Sequence, residues 1–239
     1  MSDALYAAVS GAVAQEKALE IVANNIANVS TTGFKGARLS FKEVMSEAAR
    51  GHEQAGDKQV VVDKVYTDFT PGTLHTTNNP LDVALIGPGF FAIETPQGER
   101  YTRAGSFTLA QDGTLVTTEG QPVVGPSGAI RLDPLKTAAI DDQGRIWSGD
   151  LQVGQLKVVD FSDRDALVRE GLGFWKAQDN TAQVVQNVQL QSKALEQSNV
   201  NAVTGMTQLI WISRAHEMFH RAMDAVRAVD QKTTNELTV

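Results

Sequence analysis

The chain contains no cysteine. Disulfides, thiolate nucleophiles and cysteine metal centres are therefore excluded, and the redox compartment stays undetermined. Basic charge is short as well: 21 Lys and Arg face 28 Asp and Glu, for a formal net charge of -7. A phosphate backbone is repelled by such a balance unless a local basic patch outweighs it. The densest basic group, Lys35, Arg38 and Lys42, is too small to do so, and nucleic acid is not an expected partner. No run is long and apolar enough to cross a bilayer, so no membrane insertion is expected. The start, MSDALYAAVSGAVAQEK, has neither a basic first segment nor an unbroken apolar run before its first acids, and is not expected to serve as a cleavable secretory signal.

What is present is periodicity at both ends. Met1, Leu5, Ala8, Ala12, Gln15, Leu19, Val22, Ile26 and Val29 alternate steps of four and three with only Gln15 polar, which is a heptad seam. An isolated amphipathic helix of this length is marginal in water and needs a mate. The other end supplies one. Ser198 or Asn199 can cap a helix from about Val200 into the 230s, with no proline to interrupt it. Ile212, Ala215, Phe219, Ala222, Val226 and Val229 step by three and four, and Trp211, Met218 and Ala225 form a second row beside them. That apolar face is wider than a two-stranded seam requires, so the helix is expected to touch more than one neighbour.

Between the ends the period drops to two, in runs such as LDVALI, GFFAIE, SFTLA, GTLVTT and QLKVVDF. Gln97-Gly98, Asp112-Gly113, Glu119-Gly120 and Gln143-Gly144 supply the positive φ of tight turns. The expected fold is a mainly β central domain with long N- and C-terminal α-helices packing as a coiled coil. Its expected divisions are a helix over 1–33, a connecting segment over 34–57, a β-rich domain over 58–178, a connector over 179–198 and a helix over 199–239. Phe41, Val44, Met45 and Ala48 recur at helical spacing within the connecting segment, consistent with a short helix. Gly87-Pro88-Gly89 is read as a turn, since a phosphate cradle needs a helix directly after its glycines and GFFAIE continues as strand.

One motif points to chemistry. His216-Glu217-Met218-Phe219-His220 satisfies HExxH, in which two histidines one turn apart hold zinc and the glutamate activates water. The extended pattern fails, with Met223 where glycine belongs and Val226 where a third histidine belongs. Asp224 shares a face with His220 as a possible third ligand, but the surrounding helix is a broad apolar seam with no sign of a cleft. The bland reading places both histidines beside that seam, with Glu217 pairing to Arg214 or Arg221. No other constellation supports catalysis, and no enzyme activity, cofactor or metal is expected.

ANNIANVSTTGFKG over 23–36, the block NNPLDVALIGPGFFAIETPQGERYTRAGSFTLAQDGTLVTTEGQPVVG over 78–125 and LEQSNVNAV over 195–203 resemble, in order, the signature segments of the bacterial flagellar rod and hook proteins. The modest length and the lack of a large insertion in the β region are similar to the rod members. Within them the resemblance is to the proximal-rod branch, with the distal-rod branch as the alternative. It implies a non-enzymatic subunit of the basal-body rod in the periplasmic space, exported through the flagellar type III apparatus. Such a subunit assembles with copies of itself and with other rod proteins to transmit torque from motor to hook. The rivals are a zinc hydrolase using HEMFH and a secreted binding module whose helices merely oligomerise it.

Asn24, Asn25 and Asn28 are poor residues for a helix interior, because their amides compete for backbone groups. Either the helix is ending there, or the amides fix register against adjacent subunits as a buried polar residue can in a coiled coil. The resemblance implies the second. The candidate assembly interface it implies comprises Leu5, Ala8, Ala12, Leu19, Val22, Asn24, Asn25, Ile26, Asn28, Gly33 and Phe34 at one end. At the other it comprises Ser198, Asn199, Val200, Trp211, Ile212, Ala215, Phe219, Ala222 and Val226.

Overall fold

A computed structural model of the chain describes residues 2–45, 58–171, 173–178, 182–185 and 189–236. The chain divides into two compact units. A helical unit takes Met1–Ala27, Ala37–Asp68 and Asn201–Val239, and a β-unit takes Asn28–Gly36 and Phe69–Val200.

The helical unit holds the two α-helices found among the described residues, α1 (Ser2–Ala27) and α2 (Ala202–Glu236). With them runs a long antiparallel hairpin of β1 (Ala37–Met45) and β2 (Lys58–Thr67), its register shifting between Ser40 and Phe41. Two expectations are corrected here. The first is the coiled coil, which the structure does not show. Helix α1 lies against α2 and also against both strands of the hairpin. Its most buried positions among the described side chains are Ala12, Ala14 and Ile21, and the last two lie off the heptad seam, whereas Leu19, Val22 and Ile26 on the seam are only half-buried. A heptad stripe expresses apolar surface without saying what covers it, and here a sheet shares the task. The second is the short helix expected around Phe41 to Met45, which is strand β1; Ala48 lies outside the described residues. Helical spacing of four residues is a weak signal. The pairing partner, KQVVVDKVYT, carries the β-branched run that favours a ladder.

Helix α2 begins two or three residues later than a cap at Asn199 or Ser198 would dictate. Asn201 caps it, accepting a hydrogen bond from Thr204 N at 3.1 Å on its side chain. Close approach of the helices is allowed by two glycines. A Cβ at Gly11 would stand 3.0 Å from the Phe219 ring, and one at Gly205 would stand 2.8 Å from Ile26 Cγ1.

The β-unit is built on a six-stranded antiparallel sheet. Its order is Leu167–Glu170, Phe174–Ala177, Gly98–Thr102, Phe90–Thr95, Val158–Asp160 and Gln183–Val184. Both faces of the central strands are covered, which is why GFFAIE reads as a continuous apolar run where a half-exposed strand would alternate. Phe91 and Val158 join one core with Val83, Leu85, Leu115 and Ile146. Phe90, Ala92 and Val159 join another with Tyr101, Phe161 and Trp175. In the second core the aromatic rings meet edge-on or tilted, Tyr101 to Phe161 at 4.8 Å and Phe90 to Trp175 at 5.5 Å. The four turn glycines, Gly98, Gly113, Gly120 and Gly144, all have positive φ. Gly87 and Gly89 flank a bend that runs into the strand Phe90–Thr95.

Candidate functional site

The most demanding chemistry in the β-unit is a buried cluster of three charges. Lys35, Glu196 and Arg103 are 0%, 1% and 3% exposed. Lys35 Nζ donates to Glu196 Oε1 at 2.5 Å and to Thr70 O at 2.9 Å, and Gly72 N donates to the same carboxylate oxygen at 2.9 Å. Arg103 Nη1 reaches Glu196 Oε2 at 3.4 Å while Nη2 donates to Gly87 O at 2.7 Å. The Arg103 guanidinium also lies 5.4 Å over the Phe90 ring. Burial pushes the Arg103 guanidinium down from its ordinary value, and the Glu196 charge pulls it back up.

This clasp ties together the places where the chain leaves the β-unit, after Gly36 and after Val200. Gly33 N donates to Glu196 O at 2.7 Å, and Gly36 N donates to Asn199 Oδ1 at 2.8 Å. Asn199 Nδ2 donates in turn to Thr70 O at 3.2 Å. Phe34 is 1% exposed, with the Arg169 guanidinium 4.6 Å over its ring and donating to Lys35 O. Burial lowers the pKa of Arg169 too. Gly33 must be glycine on two counts: φ is +67°, and a Cβ would fall 2.4 Å from Ala104 N.

In the helical unit Asn25, near the end of α1, is used locally. The Asn25 amide mimics a strand neighbour, donating to Ala37 O at 2.8 Å and accepting from Ala37 N at 2.9 Å, and so fixes the start of β1. The outward apolar surface lies mainly on α2. Val203, Met206 and Ile210 follow at steps of three and four, and Trp211 and Met218 stand a heptad apart; Trp211 is 66% and Met218 64% exposed. Val9 and Val13 add exposed apolar side chains on α1. Single exposed aliphatics are ordinary, but five large ones on one helix, a tryptophan among them, form a patch of the kind that marks an interaction surface.

The candidate interface residues are thus distributed unequally. Trp211, Ala222 and Asn24 are exposed on the helices, and Leu19, Val22, Asn25, Ile26 and Phe219 are half-buried. Ala12, Ile212 and Ala215 are buried within the helical unit. Asn28, Gly33 and Phe34 are buried in the β-unit, where Asn28 accepts from the Thr31 hydroxyl at 3.2 Å. The clasp brings Gly33 and Phe34 together with Asn199; Ser198 Oγ accepts from Val200 N at 3.2 Å. Leu5, Ala8 and Val226 lie on the helices, and their side chains are outside the described residues. The joint burial of Lys35, Arg103 and Glu196 is not legible in the sequence. Their one signal was position, since each sits inside a quoted motif: TTGFK, RYTRAG or LEQSN.

His216 and His220 do lie together on α2, their Nε2 atoms 2.9 Å apart. Glu217 turns to Arg221, 3.8 Å away, and among the described residues no third histidine, aspartate or glutamate completes a three-ligand metal group.

Three family models match the chain, and together they define a class, the axial proteins of the bacterial flagellum. Residues 5–35 match the flagella basal body rod protein model, 84–148 the flagellar hook protein FlgE/F/G D1 domain, and 191–237 the flagellar basal body rod FlgEFG protein C-terminal model. The chain is 35% identical to the flagellar basal-body rod protein FlgF of Caulobacter vibrioides, over 99% of this chain and 98% of that one. It is 36% identical to FlgF of Mesorhizobium japonicum over 91% and 90%, and 30% identical to FlgG of Bacillus subtilis over 98% and 99%. The chain belongs to the flagellar basal-body rod protein family.

Proposed function

We propose that the chain is a structural, non-enzymatic subunit of the flagellar rod, joined to copies of itself and to other rod proteins through the outward faces of α1 and α2. The observation that carries this reading is the patch of Val203, Met206, Ile210, Trp211 and Met218, five large apolar side chains left in solvent along one helix. In this reading Asn24, Trp211 and Ala222 meet neighbouring subunits directly. Ala12, Leu19, Val22, Ile26, Ile212, Ala215 and Phe219 shape the helical unit so that those residues project. Gly33, Phe34, Asn28, Ser198, Asn199 and Val200 act at one remove, by fixing where the chain leaves the β-unit. Torque needs no chemistry at such a subunit, only many contacts that do not slip.

The proposed location is the rod in the periplasmic space, with delivery by the flagellar type III apparatus, and the proposed position is the proximal rod. The identity to the proteins named FlgF, 35% and 36% against 30% for the FlgG of Bacillus subtilis, supports that position. No described helix is long and apolar enough to cross a membrane. The test is genetic. Deleting the gene should abolish the filament and motility, the wild-type gene should restore both, and a Trp211→Glu copy should be exported and folded yet fail to restore them. A motile deletion strain would refute the proposal.

A further inference from the structure

We propose that His216 and His220 form a two-imidazole clip on α2 for an exchangeable divalent transition-metal ion such as Zn2+. The two rings belong to adjacent turns of the helix, with centroids 4.4 Å apart and planes at 79°. Their Nε2 atoms face each other at 2.9 Å. Transition metals bind imidazole nitrogen at about 2.0–2.1 Å, so two such bonds at a right angle place the donors about 2.9 Å apart, and a tetrahedral angle places them about 3.3 Å apart. The side chains therefore already hold the spacing of a chelate, with at most a few tenths of an ångström to open.

Without metal, that separation is a hydrogen bond in which one Nε2 carries the proton and the other accepts it. An ion between the two nitrogens takes the place of this proton. The ring that gives it up carries it on Nδ1 instead, so both imidazoles stay neutral and no net proton is lost. His216 Nδ1 is buried with no partner among the described residues. It is unsatisfied in either tautomer, and metal binding adds no new orphan. His220 is exposed, so water can fill the remaining coordination positions.

With no third described protein ligand, the clip holds its ion by two bonds. It differs in kind from a closed structural site or a three-ligand catalytic one, and the zincin reading of the motif is not revived. Bridging positions four apart also pins adjacent turns of α2, so bound metal should stabilise the helix.

The experiment is calorimetric titration of Zn2+ into the full-length, metal-stripped protein. One ion per chain is expected. His220→Ala and His216→Ala should each weaken binding by at least about tenfold. Glu217→Gln, Asp224→Asn and His75→Ala should leave it unchanged, and Zn2+ should raise the melting midpoint of the wild type but not of His220→Ala. His216 is half-buried, so the exposed His220→Ala variant, checked for unchanged circular dichroism, is decisive. Equal Zn2+ binding by wild type and His220→Ala, or no binding by the wild type, overturns the proposal.

Discussion

Replacing Glu196 by glutamine tests the clasp with a change of one functional group. The carboxylate is 1% exposed and is shared by Lys35, Arg103 and Gly72 N. Glutamine keeps one acceptor, but it turns the other oxygen into a donor facing cations and leaves both positive charges uncompensated. Removing one partner from a buried ion pair costs about 3–5 kcal/mol. With a urea m-value of about 2 kcal/mol/M, that moves the unfolding midpoint of the β-unit down by about 1.5–2.5 M. Lys35→Met should cost less, because Glu196 retains Arg103 and Gly72 N. The double variant should cost less than the sum of the singles, with a coupling of about 1–3 kcal/mol, since methionine leaves no lysine charge to strand. Urea unfolding followed by near-ultraviolet circular dichroism, which reports the aromatic core around Trp175, gives all three values. A loss below about 1 kcal/mol for Glu196→Gln, or strict additivity of the pair, would refute the reasoning.

Gly33→Ala should destabilise the β-unit by more than about 1 kcal/mol, because it combines positive φ with a clash against the backbone of Arg103 and Ala104; the same urea titration measures it. Acid should weaken the β-unit below about pH 4. Burial pushes the Asp141 carboxyl up, but hydrogen bonds from Trp147, Arg145 and Gln143 outweigh this and hold it below its ordinary value. Bonds from Ser192 hold the Asp142 carboxyl low as well. Groups with depressed folded values contribute stability that is full above the unfolded value, about 3.9, and is lost as pH falls through the folded one. Asp142→Asn should therefore flatten the acid limb of midpoint against pH, and an unchanged limb would contradict the assignment.

What could be read from residues alone followed the range of the forces involved. Helix periodicity and turn glycines are local, and α1, α2 and the four positive-φ turn positions were legible for that reason. Strand β1 was not, because Phe41, Val44 and Met45 suit a helix about as well as a strand until the run Lys58 to Val62 comes to pair with Phe41 to Met45. The coiled coil failed for a related reason: an apolar stripe cannot announce whether a helix or a hairpin will lie on it. The clasp was the least legible feature. Lys35 and Arg103 stand 161 and 93 positions from Glu196, and no short-range pattern marks a lysine or glutamate as destined for burial. Asn25 was legible as a polar oddity in a helix, but its local task, holding the first residue of β1 with its amide, depends on a pairing twelve positions away that no local pattern announces.

The central claim is that the outer face of α2 is covered only on assembly. Because the chain has no native cysteine, a single Trp211→Cys substitution gives one unambiguous reactive site. Its rate of maleimide labelling should be compared between the free protein and basal bodies isolated from motile cells that carry the variant. The account predicts rapid labelling of the free chain and strong protection in the basal body; equal rates in the two would contradict it.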